Sequence, residues 1–362
     1  LFVAGCEPLW TSWSEREEYP VLKKANAVVP PAPSPLQLKV MTWNIKYGAG
    51  RADFWFDLWG DETQLSREQV EKNMAAIYAL INEVKPDILL TNEIEVNSRR
   101  SAYYDMVKGI LDHTDLNFAA YTPTWQNRTV PSEGVGRINM GNAIFSRFPI
   151  ERSERIPQPD RTDLDPASQK FYLHRAIGRA VVDVGGQDVA VYVIHTEAYD
   201  QDRTNKRQQD QMFELLKAET LPFVAGGDFN ALPPGSVKVS HFNDEHPSSI
   251  GTDFEQPPYD PEDLRQFYDA YQEAIPLSRY GTTEAEQRRY YTHSVIGPDK
   301  IGSNGEQGFW TRRLDYLFIR QSDRWVDGST TVLQQKGDFG IQSEPLLLSD
   351  HAPVLGTWEV VK

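Results

Sequence analysis

Residues 36–45, LQLKVMTWNI, alternate apolar and polar positions as a half-buried strand does. The following stretch, KYGAGRADFWFDLWGDETQL, is dense in aromatics and glycines and reads as an ordered loop. SREQVEKNMAAIYALINEVKP then changes the period. Val70, Met74, Ile77, Ile81 and Val84 fall on one helical stripe, Ser66 and Gln69 fit a capping box, and Pro86 ends the pattern. DILLTNEI (87–94) follows as a short apolar strand ending in acid. The same order recurs in TNKRQQDQMFELLKAE (204–219), predicted helical, and LPFVAGGDFN (221–230), predicted extended. Between these pairs lie GNAIFSRFPI (141–150) and IGRAVVDVGGQDVAVYVIHTEAY (177–199), the latter two strands joined at Gly185-Gly186. A long polar excursion from Asn230 to about Gln307 holds one predicted helix, PEDLRQFYDAYQEAI, before strands return in RRLDYLFI (312–319) and HAPVLGTWEV (351–360). Helices and strands intermix with antiparallel hairpins, which predicts α/β layers in one domain over residues 36–362.

Several of these strands end in polar residues. Asn44, Glu93, His195, Asp228 and Asn230 close strands, Asp315 sits inside RRLDYLFI, and Asp350-His351 opens the last strand. Ligands of open α/β sheets gather at such strand ends. Each residue alone has a plainer reading: Glu93 as a solvated loop acid, His195 as a satisfied core histidine, Asp315 as a partner of Arg312 or Arg313. GGDFNALP (226–233) is equally double, either a turn or a site for a metal-bound phosphate and its water. On extended chain Asp228 and Asn230 would share one face.

Composition narrows the classes. Of 362 residues, 37 are basic and 52 acidic, a net charge of −15, which disfavours a surface that tracks a nucleic-acid backbone. The single cysteine, Cys6, excludes an internal disulfide and a four-cysteine zinc site. No apolar run reaches membrane-spanning length. VAGC resembles the bacterial lipobox, so residues 1–5 are expected to be a signal-peptide remnant and Cys6 a lipidation site. Residues 6–35, with proline-rich VVPPAPSP, are expected to form an extended, unpacked tether.

TWNI, LLTNEIE, GNAIFSR, IHTEA, GGDFNALP, RRLDYLF and SDHAPV occur in the order typical of the endonuclease/exonuclease/phosphatase superfamily, and from about Leu38 to Val360 the chain resembles it. The resemblance implies a four-layer α/β sandwich of two mixed β-sheets flanked by α-helices, and hydrolysis of phosphate esters with Mg²⁺ or Mn²⁺. By it, Glu93 is the main metal carboxylate, Asn44 lies beside the metal or phosphate, and Asp350 is a further acidic metal residue. Asp228 orients or deprotonates the attacking water, and Asn230 steadies phosphoryl oxygens. His351 is the catalytic histidine, Asp315 its carboxylate partner, and His195 a donor to a non-bridging oxygen. Asp228 and His351 are assigned together, as a pair that activates water. Asn142 and Arg175, with Arg137, are candidates for phosphate contacts. Zinc held by His195 and His351 is the alternative metal reading.

The substrate is less determined. RADFWFDLWGDE is expected to be a satellite hydrophobic cluster, with a pocket wall or a lipid-facing tip as its alternatives. RYGTTEAEQRRYYTHS (279–294) is expected to be a solvated helix face. A phosphodiesterase is the leading expectation, monomeric and lipid-anchored in the cell envelope or secreted, with stable nucleic-acid binding disfavoured. An extracellular nuclease and a catalytically inactive binding lipoprotein are the alternatives.

Overall fold

The computed structural model describes residues 9–252 and 255–361. Cys6 lies outside them. In chain order the strands are β1 Glu17–Tyr19, β2 Val21–Lys23, β3 Gln37–Asn44, β4 Ile88–Glu95 and β5 Phe118–Val130. Then come β6 Gly136–Ser146, β7 Ile150–Pro157, β8 Ala176–Asp183, β9 Asp188–His195 and β10 Phe223–Asp228. β11 Tyr271–Glu273, β12 Asp315–Arg320, β13 Arg324–Trp325, β14 Thr331–Val332 and β15 Val354–Glu359 complete the set. The main helices are α1 Arg67–Val84, α2 Met106–His113, α3 Pro166–Phe171, α4 Thr204–Ala218 and α5 Arg265–Ala270.

The strands form two mixed sheets. One has seven strands in the order β1-β7-β8-β9-β10-β12-β11. The other has eight, in the order β13-β15-β3-β4-β6-β5-β2 with β14 on β15. The period-two pattern read from the sequence decides which side chains go where. Val40, Ile88, Leu90 and Ile144 of the eight-stranded sheet meet Val191, Val193, Val224 and Leu317 of the other to form the central core. Their neighbours Met41, Trp43, Leu89 and Phe145 face outward onto Met74, Ile77 and Ile81 of α1 and Ile110 of α2. On the opposite side Tyr192, Ile194, Ala225 and Phe318 pack on Met212 and Leu216 of α4 and Phe267 of α5. The result is the four-layer sandwich. Fully burying each such aliphatic side chain contributes roughly 1.5–3 kcal/mol.

The predicted capping box of α1 is present: Ser66 Oγ accepts from Gln69 N, and Gln69 Oε1 accepts from Ser66 N. Four other expectations are corrected. Within the supposed tether, residues 17–19 and 21–23 are paired into the sheets. β1 pairs with β7 of one sheet and β2 with β5 of the other, while Arg155 stacks 4.1 Å from the Trp13 ring centre. Open sheet edges supply backbone partners that composition alone does not reveal. The helix predicted over 261–275 stops at Ala270, because Tyr271–Glu273 pair instead with the edge of β12. The aromatic loop is no satellite: Phe54 is fully buried in the core between α1 and its sheet, edge-on to Tyr47 at 5.0 Å. Of the 279–294 segment, residues 284–287 are a short helix, but Tyr280 and Tyr291 are buried in the central core.

Candidate active site

Strand register assembles the site. β9 and β10 run parallel with His195 abreast of Asp228, and β10 and β12 run antiparallel with Asp228 abreast of Asp315. In the other sheet Asn44 of β3 stands beside Asn92 of β4, and Asp350-His351 leads into β15, the neighbour of β3. Both sheets thus end their strands at one place. Asn92 joins them: its Nδ2 donates to Ile194 O and to Asn142 Oδ1, both 2.9 Å, and its Oδ1 accepts from Asp228 N at 3.0 Å.

Local backbone explains why these residues and not others stand here. Gly227 has φ +135°, and a Cβ on it would fall 2.0 Å from Ile194 O, so no side chain is accommodated between β10 and β9. Asn230 lies beyond the strand at φ +41°, and its N donates to Asp228 Oδ1 at 3.0 Å. The two residues are therefore joined by an Asx turn rather than sharing one strand face, so the turn reading of GGDFN is present in the structure. Asn230 Nδ2 is donated to Thr196 O. Glu93 sits at φ +54°, inside a register shift between β4 and β6. The bulge frees it from the ladder and turns its carboxylate to Asn44.

The polar contacts form one line. His351 Nδ1 is 2.8 Å from Asp315 Oδ2, and His351 Nε2 is 3.5 Å from Asp228 Oδ2. His195 Nε2 reaches the same Asp228 oxygen at 3.4 Å. Asn44 Nδ2 donates to Asp228 Oδ2 at 3.2 Å and to Glu93 Oε1 at 3.0 Å. Burial pushes the His351 imidazole down, but Asp315 and Asp228 outweigh it and raise its pKa to about 10. Burial, with Asp315 and Glu93 helping and His351 opposing, pushes the Asp228 carboxyl up to about 7. His195 is held well below its ordinary value by burial, then by Arg175 and His351, and is neutral. Asp228, Asp315 and His351 offer ligand atoms within 4.8 Å of one another, a spacing a metal would accept. Both nitrogens of His351 face carboxylates, Nδ1 toward Asp315 and Nε2 toward Asp228, so the imidazole is placed to carry a proton between them.

Beside this line is a buried trio, in which Asp350 meets two residues that sequence reasoning missed, Lys46 and Asp57. Lys46 Nζ lies 3.0 Å from Asp57 Oδ2 and 3.2 Å from Asp350 Oδ2. Burial raises the Asp57 carboxyl to about 6 in spite of Lys46, and the same ammonium, against burial, holds Asp350 low. Asp350 is thus engaged by an ammonium. His293, also missed, stacks its ring edge-on to His351 at 4.6 Å. It entered through the segment read as a helix face, and only the bridges from 293 to 312 and 351 bring it here.

The two substrate candidates differ. Asn142 is 1% exposed and is spent on Asn92 and on Ala176 O, so it positions Asn92 and does not face a ligand. Arg175 is buried beside Glu197 (3.6 Å), with Nε and Nη1 lacking hydrogen-bond partners, and its charge acts on His195. Arg137 donates to Asn97 O. Asp315 pairs with neither arginine: Arg313 is bound to Glu273 and Arg312 to Asp244.

A family model described as Endonuclease/Exonuclease/phosphatase family matches residues 41–351. Among solved structures, an endonuclease/exonuclease/phosphatase from Beutenbergia cavernae is 19% identical, covering 90% of this chain and 72% of its own, with a TM-score of 0.54. A family protein from Leptotrichia buccalis is 15% identical (89% and 100% covered, TM-score 0.51). D. rerio TDP2, solved with a single-strand DNA product, is 14% identical (90% and 99% covered, TM-score 0.51). At these identities the likeness is one of fold. A search of curated proteins finds no match.

Proposed function

The chain belongs to the endonuclease/exonuclease/phosphatase family, and from that premise we propose that it is a divalent-metal-dependent hydrolase of phosphate esters, acting on phosphodiesters. The observation that carries this reading is the unbroken Asp315–His351–Asp228 line, tied through Asn44 to Glu93.

A divalent cation fits the donor set. Glu93, Asp228, Asp315, Asp350 and Asp57 bring five carboxylates to one region, against the ammonium of Lys46 and the imidazolium of His351. Hard oxygen donors in acidic excess suit Mg²⁺ or Mn²⁺. Glu93, supported by Asn44, would hold it, and when bound it would polarise the phosphate and neutralise charge in the transition state. The remaining chemistry belongs to the side chains. Asp228 Oδ2 is the oxygen on which Asn44, His195 and His351 converge, so a water accepted there is held in line and gives up its proton toward it. Asp315 fixes the His351 tautomer, leaving the Nε2 proton directed at the same point and available to a phosphoryl or leaving oxygen. Neutral His195 and the free guanidinium protons of Arg175 are donors to non-bridging oxygens.

A small phosphodiester or a lipid head group is favoured over nucleic acid, because Arg312 and Arg313 are each already bound to a carboxylate. No described helix is long and apolar enough to cross a membrane. Attachment through acylated Cys6 is part of the proposal, checked by mass spectrometry of the amino terminus.

The test is turnover of bis-p-nitrophenyl phosphate and p-nitrophenyl phosphate by the full chain with Mg²⁺ or Mn²⁺, beside Asp228→Ala. Diester turnover lost in EDTA and in the variant is the expected result. Monoester turnover alone would make it a phosphatase. Silence with every metal would return the binding-protein reading.

A further inference from the structure

The chain beyond Asn44 makes an unusual turn. Lys46 and Tyr47 are consecutive left-handed residues at φ +42° and +40°, a conformation that non-glycine residues adopt only when the surroundings impose it. The surroundings are visible. Lys46 N donates to Asn44 Oδ1 at 3.0 Å, and the Arg100 guanidinium lies 3.5 Å from the centre of the Tyr47 ring. The turn delivers a side chain that is 2% exposed to the gap between Asp57 and Asp350, whose side chains are 7% and 11% exposed. Two of the three ammonium protons are thereby used.

We propose that Lys46 is a built-in cation standing where a second divalent metal would otherwise be required, so that the protein takes one metal ion, at Glu93, and Asp350 is not a ligand. The inference rests on the hydrolase reading above. Asn44 is the divider between the two halves: its amide nitrogen serves Glu93 and its amide oxygen serves the Lys46 backbone. A divalent ion would need the Asp57 and Asp350 oxygens at roughly 2.0–2.6 Å, and an ammonium seated about 3 Å from both excludes it. Asp57 has no other cation among its described ion pairs. Phe54 and Phe56 pack together against Tyr47 just before Asp57, whose carboxylate accepts from Lys46 Nζ.

Mn²⁺ bound per full-length chain, counted by electron paramagnetic resonance, tests this without any activity measurement. The wild type is expected to bind one. Glu93→Gln should weaken that binding by about tenfold or more, whereas Asp350→Asn, which keeps the Lys46–Asp57 pair, should change it by no more than about threefold. Lys46→Gln should admit a second, weaker Mn²⁺ between the released carboxylates. Two ions on the wild type, or equal weakening by Asp350→Asn and Glu93→Gln, would overturn the proposal. So would Lys46→Gln holding one ion with a native circular dichroism spectrum; should that variant not fold, the first two comparisons decide. No Mn²⁺ on the wild type at all would instead remove the metal from the hydrolase reading itself.

Discussion

At the scale of single residues, the site depends on a few groups that tolerate no exchange. Gly227 allows β10 to close on β9. Gly227→Ala meets both a positive φ and the 2.0 Å contact, and is expected to cost about 3 kcal/mol or more, read as a lowered denaturation midpoint or failure to fold. Asn92 is the bolt between the sheets. Asn92→Ala strands the buried Asp228 N and Ile194 O, for an expected loss of about 2–4 kcal/mol in urea unfolding and a fall in kcat from displaced Asp228. The residues of the candidate site were readable because an acid or histidine at the end of an apolar strand has no core role. Asn92 was hidden beside Glu93 within the same TNE. Lys46, Asp57 and His293 come from loops, where polar residues are ordinary and carry no pattern.

At the scale of elements, period and caps carried most of the information. The Ser66–Gln69 box and the buried stripe of α1 are local features, so sequence shows them whole. β11 shows the converse: a helical pattern yields when the edge of β12 offers backbone partners from 45 or more residues away. The start of α4 makes a prediction of its own. Partial burial pushes the Asp202 carboxyl up, but hydrogen bonds from Thr162 and Thr204 and the Arg207 guanidinium win, and it lies well below the usual carboxylate range. A depressed carboxylate stabilises the fold above its unfolded pKa and loses that contribution as pH falls. Asp202→Asn is therefore expected to lower stability by about 1–2 kcal/mol at pH 7, with the gap to wild type closing below about pH 4 in thermal melts.

At the scale of the whole molecule, two sheets with separate outer layers meet at the end that carries the candidate site, and the amino-terminal segment clasps an edge of each. Its proline content made it look like a tether. Edge pairing depends on distant strands, and nothing in residues 9–35 themselves reports it. Removal of residues 9–23 is expected to uncover the edges of β5 and β7, giving a lower melting temperature and concentration-dependent association in light scattering. The fold is otherwise what the ordered motifs implied, because each motif is a strand end and the register of the strands is set by the apolar alternation.

The central claim is that Asp315, His351 and Asp228 work as one unit, and a double-mutant cycle on diester turnover tests it most directly. Asp315→Asn and His351→Gln should each lower kcat by about a hundredfold or more, and the double variant should be no slower than the worse single one, since the aspartate acts only through the histidine. Losses that multiply in the double variant would show two independent contributions and contradict the account.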